Sequence, residues 1–182
     1  MFTVPNALTF ARLLLVPVFV WLYVAGNAAG ALTVFIAASV TDGLDGLLAR
    51  ALHQETRLGG FLDPAADKLL ALAAMVLLVA AHLLPGWLLA LVVFRDAGIV
   101  FGSLLLASQG LPMHATPSRI GKYSTFVLGG AIVLALTEGV VYDGRSLAPY
   151  VVALSLLAAE CVAVSTAQYF TQWLHLLRRR PA

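Results

Sequence analysis

Charge is the scarcest property of this 182-residue chain: Asp, Glu, Lys and Arg together make up 11% of it. A soluble domain carries about 25%. With 61% hydrophobic residues and a mean hydropathy of +0.94, a water-soluble core is excluded and a bilayer is the natural solvent. Cysteine is nearly absent. Cys161 is the only one, so no disulfide can form within the chain, and its apolar surroundings read as those of a packed thiol. The net charge of +2 offers no basic surface for a nucleic-acid partner. Met1 to Leu8 lack any basic residue, and no small-residue cleavage site follows, so the first apolar run reads as a retained helix rather than a signal peptide. Internal repeats, low-complexity segments and a separate soluble domain are also missing, which leaves one membrane domain over residues 1–182.

What is present is a succession of apolar stretches. A span needs about 20 mostly apolar residues, and six candidates meet that requirement: Leu8–Ala25, Ala29–Ala49, Pro64–Leu84, Gly86–Ser108, Ile120–Leu136 and Pro149–Leu174. Turn formers separate them at Gly26-Asn27, Leu84-Pro85-Gly86, Gly110 to Pro117 and Asp143-Gly144. The expected fold is therefore an all-α integral membrane protein with six transmembrane helices. A cytoplasmic N-terminus puts Arg12, Arg50, Arg57, Arg119, Lys122 and Arg178–Arg180 on the inner side, leaving Arg145 outside. Both termini are then cytoplasmic. Pro5-Asn6-Ala7-Leu8-Thr9 reads as a short interfacial helix from which Arg12 snorkels to the headgroups, and the closing arginines anchor the last helix on anionic membrane lipids.

Four of the nine acidic residues fall within 26 positions, at the facing ends of the second and third spans. Asp42 and Asp45 stand three apart, Asp63 and Asp67 four apart, so each pair occupies one helical face. The loop between the spans lets these helices return as antiparallel neighbours, and four converging carboxylates would repel unless a cation joined them. An all-oxygen set without His or Cys suits Mg²⁺, Mn²⁺ or Ca²⁺ rather than zinc, and four carboxylates suffice for two ions that clamp phosphoryl oxygens. Gly43, Gly46, Ala49 and Gly59-Gly60 leave backbone bare beside the acids, where a bulky polar ligand can approach. Small residues also serve helix packing in membranes.

Asp42, Asp45, Gly46, Ala49, Arg50, Gly59, Asp63 and Asp67 match without a gap the signature Asp-x2-Asp-Gly-x2-Ala-Arg-x8-Gly-x3-Asp-x3-Asp. The chain thereby resembles the CDP-alcohol phosphotransferase family, and the six-span layout extends the likeness over nearly its whole length. The resemblance implies that Asp42, Asp45, Asp63 and Asp67 hold a pair of divalent ions, Mg²⁺ or Mn²⁺, and that Asp67 is the general base for the acceptor hydroxyl. Gly46, Ala49 and Gly59 would line the cytidine site together with Asp42, with Arg50 near the donor phosphates. The donor would be CDP-diacylglycerol, the leaving group CMP, and the protein a homodimer in the cytoplasmic (inner) membrane with its active site on the cytoplasmic side.

Pro5-Asn6-x-Leu8-Thr9-x-x-Arg12 is similar to the branch that makes phosphatidylglycerophosphate and to CMP-forming cardiolipin synthases. Arg95 is expected to face the acceptor's phosphate, with Arg119 and Lys122 as further phosphate contacts. Asp96 stands where glycerol-3-phosphate enzymes usually have Glu, and Ser124 where they carry a second Lys. Fewer cations favour a phosphodiester acceptor, so the reading leans to phosphatidylglycerol over glycerol-3-phosphate. Glu160 is expected to need a helix contact or a dimer-interface hydrogen bond, because a carboxylate at membrane depth is costly. A cation or proton transporter would place acids on several helices at the bilayer midplane, whereas here they gather at one face. An inactive scaffold is disfavoured by the intact signature.

Overall fold

In the computed structural model of the chain, residues 4–52, 59–108, 119–141 and 147–178 are described, with side chains for 10–41, 66–108, 120–140 and 147–173. They form six helices: α1 (Val4–Val24), α2 (Ala28–Leu52), α3 (Gly59–Ala80), α4 (Gly86–Ser108), α5 (Arg119–Val141) and α6 (Ala148–Arg178). The architecture is all-helical, as the apolar runs require. Among the described residues three helices are long and apolar enough to cross a bilayer by length and composition: Gly86–Ser108, Ile120–Val140 and Ala148–Trp173. Phe10–Val24 and Ala28–Thr41 are shorter apolar segments.

Boundaries differ from the hydropathy reading where local chemistry intervenes. No separate interfacial helix precedes α1, which runs unbroken from Val4. Helix α3 begins at Gly59 rather than Pro64, so the proline lies in its second turn. Its end comes early, at Ala80, because His82 takes a left-handed φ of 60°. The His82 amide donates to the Val79 carbonyl and the Leu83 amide to the Leu78 carbonyl, which closes the helix with its own backbone. Gly26 (φ 80°) closes α1 in the same way: its amide donates to Tyr23, and that of Asn27 to Leu22. Asn27 then starts α2, its Oδ1 accepting from the Gly30 amide at 2.9 Å. Helix α5 runs on past Leu136 to Val141, because Glu138 does not face water there but is 2% exposed.

Contacts divide the chain into two units. The first comprises Met1–Leu83 with Ile132–Ala148. There α1 packs on both α2 and α3, and α2 touches α3. Phe19 of α1 meets Phe35 of α2 with ring centroids 5.9 Å apart. Buried rows run along α2 at Ala31, Phe35 and Ala38, and along α3 at Ala66, Leu70, Ala74 and Leu78. The second unit comprises Leu84–Ala131 with Pro149–Ala182. Helices α4 and α6 meet there where Gly102 lies flat against the Trp173 indole, and a Cβ at 102 would overlap the ring. Leu154 of α6 would lie 3.4 Å from a Cβ at Gly130 of α5.

Candidate functional site

The acidic quartet belongs to the first unit, at the end where α2 finishes and α3 begins. Side chains of Asp42, Asp45, Gly46, Ala49, Arg50, Gly59 and Asp63 lie outside the described residues, but their places along the helices are given. Positions 42 and 45 continue the buried row 31, 35, 38 of α2 at the same three-and-four spacing. Position 63 continues the row 66, 70, 74 of α3. Asp67 stands beside Ala66 on that helix, is half-buried and is engaged by a polar partner. Among the described residues no group of three His, Cys, Asp or Glu side chains is gathered for a metal.

Arg12 differs from its expected role. It does not snorkel to the headgroups but is 1% exposed and engaged. Its position follows from α1's own period, since Arg12 and Phe19 are seven residues apart and share a face. Phe19 is paired with Phe35 on the antiparallel α2. Seven residues back along α1 and seven forward along α2 bring Arg12 level with position 42. A buried guanidinium on α1 thus stands level with the stretch of α2 that carries Asp42. In sequence Arg12 looked like an anchor because it follows an apparently interfacial segment. The signal that it belongs inside was its seven-residue spacing from Phe19.

The second unit holds the cationic residues expected to meet an acceptor. Arg95 has a side chain 11% exposed, and its Nη1 is 3.7 Å from Asp96 Oδ1, a loose ion pair. Its Nη2 donates to Ser165 Oγ on α6 at 3.5 Å. Its Nε is buried with no hydrogen-bond partner. Lys122 is exposed near the start of α5, while the side chain of Arg119 lies outside the described residues. Ser124 is fully buried with an unpartnered Oγ, although Thr125 beside it donates to the Gly121 carbonyl. Of these residues the structure brings Arg95 and Ser165 together.

Two carboxyls within apolar helices differ in burial. Glu160 is exposed on α6, because the buried face of that helix runs through Val151, Ser155, Ala158, Val162, Ser165 and Tyr169. Glu138, which hydropathy treated as the end of a span, is the enclosed one, and its Oε1 has no partner. Cys161 is a half-buried free thiol, as its apolar run suggested.

Comparison with known proteins fits this arrangement. Residues 2–172 match the family model described as CDP-alcohol phosphatidyltransferase. A CDP-diacylglycerol–glycerol-3-phosphate 3-phosphatidyltransferase of Bacillus subtilis is 32% identical over 94% of this chain and 95% of its own length. A CMP-forming cardiolipin synthase of Streptomyces coelicolor is 38% identical over 75% of this chain, which spans 66% of that protein. The Escherichia coli CDP-diacylglycerol–glycerol-3-phosphate 3-phosphatidyltransferase is 39% identical over 68% of this chain and 71% of its own length. With nearly its whole length matched and the signature intact, the chain belongs to the CDP-alcohol phosphatidyltransferase family, a family of membrane-bound enzymes.

Proposed function

We propose that this enzyme transfers a phosphatidyl group from CDP-diacylglycerol to a glycerol-type hydroxyl in the cytoplasmic membrane, releasing CMP. The observation that supports the reading is the spacing on two touching helices: positions 42 and 45 follow on at three-and-four intervals from the buried row 31, 35, 38 of α2, and position 63 precedes the row 66, 70, 74 of α3, with Asp67 half-buried beside Ala66. Carboxylates alone make up this donor set, which fits a hard divalent cation and not zinc. Asp42, Asp45, Asp63 and Asp67 would hold two such ions, Mg²⁺ or Mn²⁺, which when bound neutralise charge on the donor's pyrophosphate oxygens. Asp67 accepts the proton of the acceptor hydroxyl as its oxygen bonds to phosphorus. The bond from that phosphorus to the CMP oxygen breaks, and CMP departs with the electron pair. Gly46, Ala49 and Gly59 give the cytidine a bare backbone, and Arg50 pairs with the donor phosphates. Arg95, Arg119 and Lys122 hold the acceptor's phosphate.

Arg12, enclosed near the acids, is a positioning residue that offsets their charge. Phosphatidylglycerol is the favoured acceptor, which would make the protein a cardiolipin synthase. Support comes from Asp96 and Ser124, which leave fewer cations than a phosphomonoester dianion calls for. Synthesis of phosphatidylglycerophosphate from glycerol-3-phosphate is the second reading, favoured by the Bacillus relative that aligns from end to end. The distribution of basic residues supports cytoplasmic termini, and the family resemblance supports a homodimer.

An acceptor panel with the purified protein and labelled CDP-diacylglycerol tests this. CMP release should require Mg²⁺ or Mn²⁺, vanish with a chelator, and be supported best by phosphatidylglycerol. Faster turnover with glycerol-3-phosphate would overturn the choice of acceptor, and metal-independent release would overturn the site. For Asp67→Asn we expect CDP-diacylglycerol binding to survive while turnover falls about 10²–10⁴-fold, the usual contribution of a general base. Equal loss of binding and turnover, measured by equilibrium binding beside CMP release, would leave Asp67 as a metal ligand only.

A further inference from the structure

Within the second unit, two contacts fix how α4 and α6 run together. Arg95 meets Ser165, and seven residues along α4 Gly102 meets Trp173, eight residues along α6. The helices are therefore parallel over this stretch, roughly 10–12 Å at 1.5 Å per residue. Leaving aside Asp96, whose Oδ1 faces Arg95 Nη1 at 3.7 Å, three buried polar atoms on the stretch of these helices from Arg95 and Ser165 to Gly102 and Trp173 have no hydrogen-bond partner: Arg95 Nε, Gln168 Oε1 and Trp173 Nε1. Room accompanies them, because a Cβ at Gly98, one turn on from Arg95, would meet nothing within 4 Å. Buried polar groups are nearly always matched, and leaving several unmatched in one stretch is costly.

Their chemistry specifies what would match them. The guanidinium and indole N–H groups donate, as phosphate oxygens require. The carboxamide of Gln168 needs a donor at Oε1, and an anion supplies none. A hydroxyl does, and because it both donates and accepts it would satisfy the amide in either orientation. Gln168 stands one turn, roughly 4.5 Å of rise, beyond the Ser165 that Arg95 touches. That offset is comparable to the reach from a phosphate to the hydroxyl on the neighbouring glycerol carbon. We propose that Gln168 is a specificity-determining residue that hydrogen-bonds the acceptor's non-reacting hydroxyl while Arg95 holds its phosphate. The inference rests on the acceptor role given to Arg95 above and adds to it a reader of the glycerol itself.

The test compares each acceptor with its analogue lacking that hydroxyl: phosphatidylglycerol against phosphatidyl-1,3-propanediol, and glycerol-3-phosphate against 1,3-propanediol phosphate. In whichever pair is used, the wild type should favour the glycerol compound by about ten- to a hundredfold in kcat/KM. Gln168→Leu should bring that ratio near unity, by slowing the glycerol compound alone, with CDP-diacylglycerol binding intact. Ser155→Ala, which removes a buried unpartnered hydroxyl elsewhere on α6, should keep the wild-type ratio. A wild-type ratio retained in Gln168→Leu overturns the proposal. So does equal loss on both compounds together with lost donor binding, which marks a structural role, or a ratio that collapses in Ser155→Ala as well. If no acceptor supports CMP release by the wild type, the functional reading itself falls.

Discussion

Asp45→Asn and Asp63→Asn should each lower CMP release by at least about a hundredfold, the scale on which a charge stabiliser aimed at a developing oxyanion acts. Asparagine keeps the size of the side chain and removes the charge that attracts a cation. The two positions belong to different helices, and both continue rows that are buried further along. Loss at either one should therefore weaken a site shared between α2 and α3. Helical content and elution volume in detergent should stay unchanged, since the substitution disturbs neither row. A partial return of activity at high Mn²⁺ would identify lost ion affinity as the cause. Unchanged CMP release in either variant would falsify the shared carboxylate site.

Arg12→Met carries the second large effect, and its direction follows from burial. The residue is 1% exposed, engaged, and level with position 42 across the α1–α2 contact. Where a buried guanidinium offsets carboxylates, as proposed for Arg12, removing it costs about 3–5 kcal/mol, because the remaining charges lose their counter-ion. Thermal unfolding of Arg12→Met should accordingly occur well below that of the wild type. Added Mg²⁺ should stabilise the variant more than the wild type, since divalent ions then supply the missing positive charge. Arg12→Lys should fall between the two, keeping the charge without the planar fork. A wild-type unfolding temperature for Arg12→Met would show that the guanidinium offsets no charge there.

The number and order of helices were legible because apolar runs of the required length are separated by strong turn formers. Helix ends were less so, and for separate reasons. His82 stops α3 through a backbone conformation that glycine usually takes, so no turn signal marked it. Glu138 continues α5 because the fold encloses it, a tertiary effect that hydropathy cannot register. In the site, the aspartates announced themselves through spacing and sign. Arg12 and Gln168 did not. An arginine beside an apparent membrane surface and a glutamine near the end of a span both have ordinary explanations. Only burial and the matching of polar atoms set them apart.

The join between α1 and α2 bears on how the chain enters a membrane. Gly26 and Asn27 complete it with hydrogen bonds drawn entirely from residues 21–31, without help from any later segment. Contacts so close in sequence can form first, before long-range ones repay their entropy. The turn can therefore close once residue 31 has been synthesised, and α2 can fold back along α1 as its remaining residues follow, ahead of the later helices. Arg12 thus acquires a neighbouring wall of protein early, sparing it a solitary passage through hydrocarbon.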